Sequence, residues 1–181
     1  MQTKYTTSRL LLDQLKLHDA EFIMELVNTP EWIKFIGERN IKNKEDAKAY
    51  IQKIIENPDI NYRVVSIKED KTPIGIITLI KRDYLDHHDI GFAFLTSYGK
   101  KGYAYEAAAT VLQDIIKDPA HAQVFATTIK QNTNSIQLLE KLGFKFSNEI
   151  KIENEILLVY ALAAGQFAVL PVKGKLRDKH S

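Results

Sequence analysis

Gly99-Lys100-Lys101-Gly102-Tyr103-Ala104 lies between an apolar stretch, residues 89–95, and a segment with helical spacing, residues 104–116. The first reads as a strand, with Gly91 marking either a bulge or a close backbone approach. In the second, Ala104, Ala107, Ala108, Val111, Leu112 and Ile115 fall on one helical face. Their small members suit close seating on a sheet. The order is therefore strand, glycine-containing turn, helix. A helix start exposes amides with no intrahelical partner and carries the positive end of the helix dipole. Glycine lets the backbone approach a bound group. Lys100 and Lys101 add positive charge at the same place. Together these are the ingredients of a pyrophosphate cradle. A solvated Gly-Lys loop is the alternative that this segment alone leaves open.

Two other phosphate sites are disfavoured. No Gly-x-x-x-x-Gly-Lys-Ser/Thr loop is present. A dinucleotide fingerprint needs three spaced glycines early in a βαβ unit, whereas this turn has two and lies mid-chain.

Outward from the turn, strands and helices alternate, as in a mixed α/β domain. Residues 9–12 read as a first strand. Asp19 is placed to cap a helix with Phe22, Ile23, Leu26 and Val27 on one face. Pro30 ends that helix or restarts the chain after it. Asn43 can cap a further helix carrying Ala47, Tyr50, Ile51 and Ile54. Residues 62–67 and 74–81 form a hairpin through the turn formers Glu69-Asp70-Lys71-Thr72-Pro73. Residues 124–128 are the next strand. Residues 132–142 form a short helix stopped by Gly143. Residues 144–152 and 155–162 close the domain as a hairpin. The reading is one domain, residues 1–164, followed by a tail, residues 165–181.

Composition narrows the function classes. Of 181 residues, 45% are apolar and 27% charged, ordinary for a soluble globular chain. A net charge of +2 gives no reason to expect nucleic acid, although residues 173–179 are basic. The absence of cysteine removes disulfides, thiolate metal sites and a Cys nucleophile, and fits a cytoplasmic protein. The N-terminus has no signal-peptide pattern. The longest apolar stretch, residues 156–170, is interrupted by Gly165 and Gln166, so no membrane span is expected.

Four stretches, in order, resemble the GNAT superfamily of N-acetyltransferases. The turn is similar to the family's Gln/Arg-x-x-Gly-x-Gly/Ala motif at Gly102 and Ala104. It departs from the family at Gly99 and at Tyr105. Asn132-Thr133-Asn134-Ser135 and, further on, Glu140-Lys141-Leu142-Gly143-Phe144 resemble the cofactor-side segment that follows it. Thr7-Ser8-Arg9-Leu10-Leu11-Leu12 and Asp89-Ile90-Gly91-Phe92 are similar to the Rim-type subgroup, which acetylates ribosomal-protein N-termini. The resemblance implies an acyl-CoA N-acyltransferase fold, α/β (α+β), with a mixed, mostly antiparallel seven-stranded sheet flanked by helices. It implies acetyl-CoA as donor, no metal, and an amine acceptor that is a small molecule or a protein N-terminus, in a monomer or homodimer.

The same resemblance implies the site. Backbone groups of Phe94 and Leu95 would pair with the pantetheine arm, as in strand addition. Phe94 N–H would meet the thioester oxygen. Amides of Lys101, Gly102, Tyr103, Ala104 and Tyr105 would hold the pyrophosphate, with Lys100 and Lys101 as electrostatic support. Asn132 suits a pantetheine amide or a nearby backbone group. Asp89 is the candidate general base, with a solvent-facing strand-end charge as the alternative. His87 and His88 beside it titrate in a useful range but sit in a polar turn. Leu139 stands where many members place a Tyr that protonates the leaving sulfur. Ser135 is the remaining hydroxyl, or else a first-turn residue bonding to backbone. Trp32, Phe35, Ile36 and Tyr62 are candidates for the acceptor pocket or, individually, plain core. An acetyl-CoA-binding regulatory module with little or no turnover is the second reading, and self-association through Phe167, Val169, Leu170 and Val172 a third.

Overall fold

The computed structural model describes residues 2–167. Eight strands form one sheet in the order β1-β2-β3-β4-β5-β6-β8-β7. In chain order they are β1 (Lys4–Thr6), β2 (Leu10–Gln14), β3 (Ile60–Ile67), β4 (Pro73–Ile80), β5 (Asp89–Phe94), β6 (Gln123–Thr128), β7 (Lys145–Ile152) and β8 (Glu155–Ala163). The helices are α1 (Ala20–Val27), α2 (Pro30–Phe35), α3 (Lys44–Glu56), α4 (Tyr103–Ile115) and α5 (Thr133–Lys141). Every neighbouring pair is antiparallel except β5 and β6.

The expected seven strands become eight because of β1. Three residues are too few for alternation to announce a strand. Long-range partners hold it instead. Tyr5 is buried and its hydroxyl donates to Asp114 Oδ2 in α4 at 2.8 Å. Arg63, from β3, donates to the carbonyls of Thr3 (2.9 Å) and Gln2 (2.5 Å).

Local signals set most helix ends. Asn43 Oδ1 accepts the Asp46 amide at 2.8 Å and starts α3. Pro30 restarts the chain as the first residue of α2, with the Thr29 side chain as cap. Asp19 differs from expectation. Its carboxylate accepts the Lys16 amide at 2.8 Å and gives α1 no side-chain cap, because a short 3-10 turn, Leu17–Asp19, leads into the helix. Gly143, at φ +93°, ends the α5 segment as read. Gly91 marks a close approach and no bulge: the β4–β5 register is unbroken, and a Cβ there would stand 2.6 Å from Thr78 Oγ1.

Sheet alternation divides the core into two layers. Val64 and Ile76 face α1, α2 and α3 and pack with Ile23, Leu26, Trp32 and Ile51. Val65 and Ile77 face the other way, onto Ala108, Val111 and Leu112 of α4 and Leu139 of α5. Among the described residues no helix is long and apolar enough to cross a membrane. Phe167 packs against the α4 layer. Val169, Leu170, Val172 and the basic residues 173–179 lie outside the described residues.

Candidate functional site

The β5–β6 pair supplies the opening. Leu95 N–H donates to Ile74 O at 2.9 Å, and Phe94 stands opposite Gly75. In an antiparallel ladder, alternate residues turn their backbone groups to the same neighbour. Leu95, Ala93 and Gly91 therefore face β4, and Ile90, Phe92 and Phe94 present theirs to β6. There β6 meets β5 at a single register pair, Asp89 with Phe125, supported by Phe125 N–H donating to His88 O at 2.9 Å. Beyond that point the strands part. Among the described residues no strand pairs with the edge at Phe92 and Phe94, and backbone polar groups there need water or a ligand as partner.

Leu95, expected to pair beside Phe94, already has a partner for each backbone group. Its N–H goes to Ile74 O and its carbonyl accepts the Tyr98 amide at 2.9 Å. The N–H thus belongs to the β4 ladder, and the carbonyl to a short turn, Thr96–Tyr98, that starts there. Phe94 is thus the last residue of β5 whose backbone faces the gap.

The glycine turn follows directly. Lys100 (φ +58°) and Gly102 (φ +80°) both take the left-handed conformation. Gly102 is the N-cap of α4 and has no side chain to cap it. Glu106 N–H, donating to Gly102 O at 3.0 Å, is the first intrahelical bond. The amides of Tyr103, Ala104 and Tyr105 precede it and have no partner inside the helix. A cradle with positive dipole, no capping carboxylate and two exposed lysines, Lys100 and Lys101, suits a phosphate ester. The Lys101 ammonium lies 5.3 Å from the Tyr98 ring centroid, and Lys141 lies 4.8 Å from that of Tyr105.

A pair that the sequence reading did not assign to the site braces this turn. Glu106, 6% exposed, accepts from Thr7 Oγ1 (2.5 Å), Ser8 Oγ (3.3 Å) and the Arg9 amide (3.2 Å) on Oε1. Its Oε2 takes Arg9 Nε and Nη2, each at 2.7 Å. Burial acts most strongly and upward on its pKa, but the bonds from Thr7 and Arg9 together hold it below the ordinary carboxylate value. Arg9 Nη1 donates to Lys101 O at 3.0 Å, and its guanidinium lies 4.5 Å from the Tyr103 ring centroid. The available signal was a charged residue beside Ala107 and Ala108 at the inward edge of an otherwise apolar helix face.

On α5, Asn132 Oδ1 accepts the Ser135 amide at 3.2 Å and caps the helix. That engages the oxygen, while the Asn132 amide nitrogen has no hydrogen-bond partner among the described residues. Ser135 is half-buried. Leu139 is buried in the α4 layer.

The opposite face of the sheet carries the acceptor candidates. Asp89 is buried at the root of the gap and does not face solvent. Its Oδ1 accepts the Thr127 amide at 2.9 Å, and its Oδ2 accepts Thr127 Oγ1 at 3.1 Å and Arg82 Nε at 3.0 Å. Burial pushes its pKa up, against the opposing pull of Arg82 and Thr127. Tyr62 and Trp32 pack in one cluster with Ala93 and Leu95. Burial, with Tyr50 beside it, pushes the Tyr62 hydroxyl well up. The Trp32 indole N–H is buried and has no hydrogen-bond partner among the described residues. Phe35 is half-buried under the Lys34 ammonium, 5.0 Å from its ring centroid, and Ile36 is exposed. His88 packs edge-on to His121 at 4.7 Å and His87 to Phe125 at 5.2 Å, so the two neighbours point apart. Burial lowers the His88 pKa. Among the described residues no group of three His, Cys, Asp or Glu could hold a metal ion.

Known proteins share this fold. The acetyltransferase (GNAT) domain family matches residues 9–145. A Bacillus subtilis (strain 168) protein named as an uncharacterized N-acetyltransferase, YnaD, is 30% identical over 142 residues, covering 77% of this chain and 81% of that protein. The spermidine N-acetyltransferase of Vibrio cholerae, solved with CoA and spermine, superposes with a TM-score of 0.74 at 18% identity, over 88% of this chain and 98% of that one. The ribosomal-protein-S5-alanine acetyltransferase of Vibrio fischeri gives 0.74 and 18%, over 93% and 100%. A one-sided strand edge running into an uncapped helix start, the family match across residues 9–145 and the B. subtilis relative agree: the chain belongs to the GNAT family of acetyltransferases.

Proposed function

We propose that this enzyme transfers the acetyl group of acetyl-CoA to a primary amine, directly, within a ternary complex. The observation that carries it is the continuity of the β5 edge at Phe92 and Phe94 with the amides of residues 103–105. An extended amide-bearing arm suits the edge, and a pyrophosphate suits the amides. Bound acetyl-CoA supplies an activated thioester.

The chain's own groups do the rest. Phe94 N–H faces the gap and is placed to donate to the thioester oxygen as negative charge grows there. The Asn132 amide nitrogen is free to donate to the pantetheine arm. Asp89, on the acceptor side with its pKa raised by burial, takes the ammonium proton through intervening water, so that the amine attacks as a neutral nucleophile. The N–C bond forms as the C–S bond breaks. Ser135 donates a hydrogen bond to the departing sulfur. Trp32, Phe35 and Tyr62 bound the acceptor pocket.

The acceptor is a small amine or a protein N-terminus. Two solved relatives of equal likeness, one named for spermidine and one for a ribosomal protein, differ in acceptor, so the fold does not choose between them. The Rim-type reading rests on Thr7–Leu12 and Asp89–Phe92. Calorimetry with acetyl-CoA and CoA tests the donor, and no detectable heat at high micromolar ligand refutes it. Acetylation of a panel of polyamines and peptide N-termini, read as CoA release, then identifies the acceptor class.

Two observations favour a second reading, an acetyl-CoA-binding module with little turnover. Leu139 is buried where a sulfur-facing hydroxyl is often found, and three bonds already occupy the Asp89 carboxylate. CoA binding without CoA release across the whole panel would favour it.

A further inference from the structure

Arg9 is tied to both sides of the turn. Glu106 Oε2 takes its Nε and Nη2, and its Nη1 holds Lys101 O. A peptide unit is planar and trans, so its C=O and the following N–H point in opposite directions. Fixing the Lys101 carbonyl toward Arg9 therefore fixes the Gly102 N–H away from it. Released, the same peptide can rotate and bring its carbonyl oxygen toward a bound phosphate, where it repels. The contact is close. A Cβ on Gly102 would stand 3.4 Å from Arg9 Nη2. Glu106 in turn is held by Thr7, Ser8 and the Arg9 backbone, so β2's leading turn, the Glu106 carboxylate, Arg9 and the cradle form one hydrogen-bonded chain.

We propose that Glu106 and Arg9 are positioning residues for the donor: Glu106 clamps the Arg9 guanidinium, which turns the Lys101–Gly102 peptide so that the cradle presents N–H groups, and no carbonyl, to the phosphates of CoA. The inference rests on the acetyl-CoA reading above. It assigns the Thr7-Ser8-Arg9 stretch a task at the far end of the sheet's opening. It also gives Glu106, an acidic group in the first turn of an anion-binding helix, a role opposite to its charge.

That opposition supplies the test. CoA affinity is measured by calorimetry for the wild type, Glu106→Gln, Arg9→Lys and Arg9→Gln, with a thermal melt of each. Plain electrostatics predicts tighter CoA binding for Glu106→Gln, because a negative charge near the phosphates is removed. Positioning predicts the reverse, a loss of about tenfold, with Arg9→Gln losing about ten- to a hundredfold. Arg9→Lys restores charge but cannot bond Glu106 and Lys101 O together, so it recovers only part of the loss. Glu106→Gln keeps the side-chain shape, so it and Arg9→Lys carry the test if Arg9→Gln does not fold. Wild-type binding with Glu106→Gln equal or tighter, or with Arg9→Lys equal to wild type, overturns this inference and leaves the donor assignment standing. No CoA binding by the wild type overturns the donor assignment itself.

Discussion

Asp89 binds Thr127 twice, taking its amide on Oδ1 at 2.9 Å and its hydroxyl on Oδ2 at 3.1 Å, where β5 and β6 part. A parallel ladder would need a β5 carbonyl for the Thr127 N–H. The Asp89 side chain replaces that carbonyl, so β6 leaves β5 without stranding a buried donor. Arg82, on the loop before β5, balances the carboxylate at 3.0 Å. The gap between β5 and β6 is therefore closed at its root by one side chain.

The first prediction separates two tasks of Asp89. Asp89→Asn keeps an acceptor for the Thr127 amide but sets a neutral amide against Arg82. It is expected to cost about 1–3 kcal/mol of stability, the scale of hydrogen bonds to a charged group. If Asp89 also takes the amine proton, wild-type kcat/KM rises with pH through a value above the ordinary 3.8, because burial raises its pKa. That acid limb should vanish in Asp89→Asn. A variant that is less stable but keeps the limb would leave Asp89 a strand-joining residue only.

Glu106 gives the second prediction, on stability against pH. Its folded pKa lies below the ordinary 4.5, so its contribution is complete above pH 4.5 and is lost as pH falls through the lowered value. The difference in melting temperature between wild type and Glu106→Gln should be largest above pH 4.5 and shrink toward more acid pH. A difference that stays constant through the acid range would show that the charge of Glu106 adds nothing.

A third prediction concerns Gly102. At φ +80° a Cβ is strained whatever the space, by about 1–3 kcal/mol for a residue larger than glycine. Gly102→Val adds contact with Arg9 and fills the approach to the helix amides. CoA binding by calorimetry is expected to be lost while circular dichroism retains the native helix content. Retained affinity would place the phosphates elsewhere.

These three positions differ in how legible they were. Gly102 was found in the sequence because a glycine between a strand and a helix is a local signal, and the helix it starts lies within one residue of the expected limits. The α4 face, the Asn43 cap and both hairpins were local in the same sense. Asp89 was found as a strand-end acid, but its partner Thr127 lies on a strand that joins it only in the fold. Arg9 and Glu106 are separated by the whole first half of the chain, so neither residue carries a sign of the other. Strand β1 was missed for the same reason: Arg63 and Asp114 hold it from distant positions. That the Leu95 N–H turns to β4 and away from the gap was not legible either, because which backbone groups of an edge strand stay free depends on register, and register is set by β4.

The last prediction bears on the sulfur side. Ser135 uses its backbone N–H for the α5 cap, donating to Asn132 Oδ1, while its hydroxyl is no part of that bond. Ser135→Ala should therefore leave the cap and the melting temperature in place, within about 0.5 kcal/mol for a substitution away from the core. If the hydroxyl assists the departing sulfur, kcat should fall by about tenfold or more, with CoA affinity unchanged. The alternative donor position cannot be restored by Leu139→Tyr, because Leu139 is 1% exposed in the packed layer under α4. A ring and hydroxyl there are expected to cost about 1–3 kcal/mol in strain, without a gain in turnover. Measured by CoA release, a Ser135→Ala enzyme as fast as wild type would mean that the thiolate leaves unaided. A Leu139→Tyr enzyme faster than wild type would mean that α5 can rotate that position toward the gap.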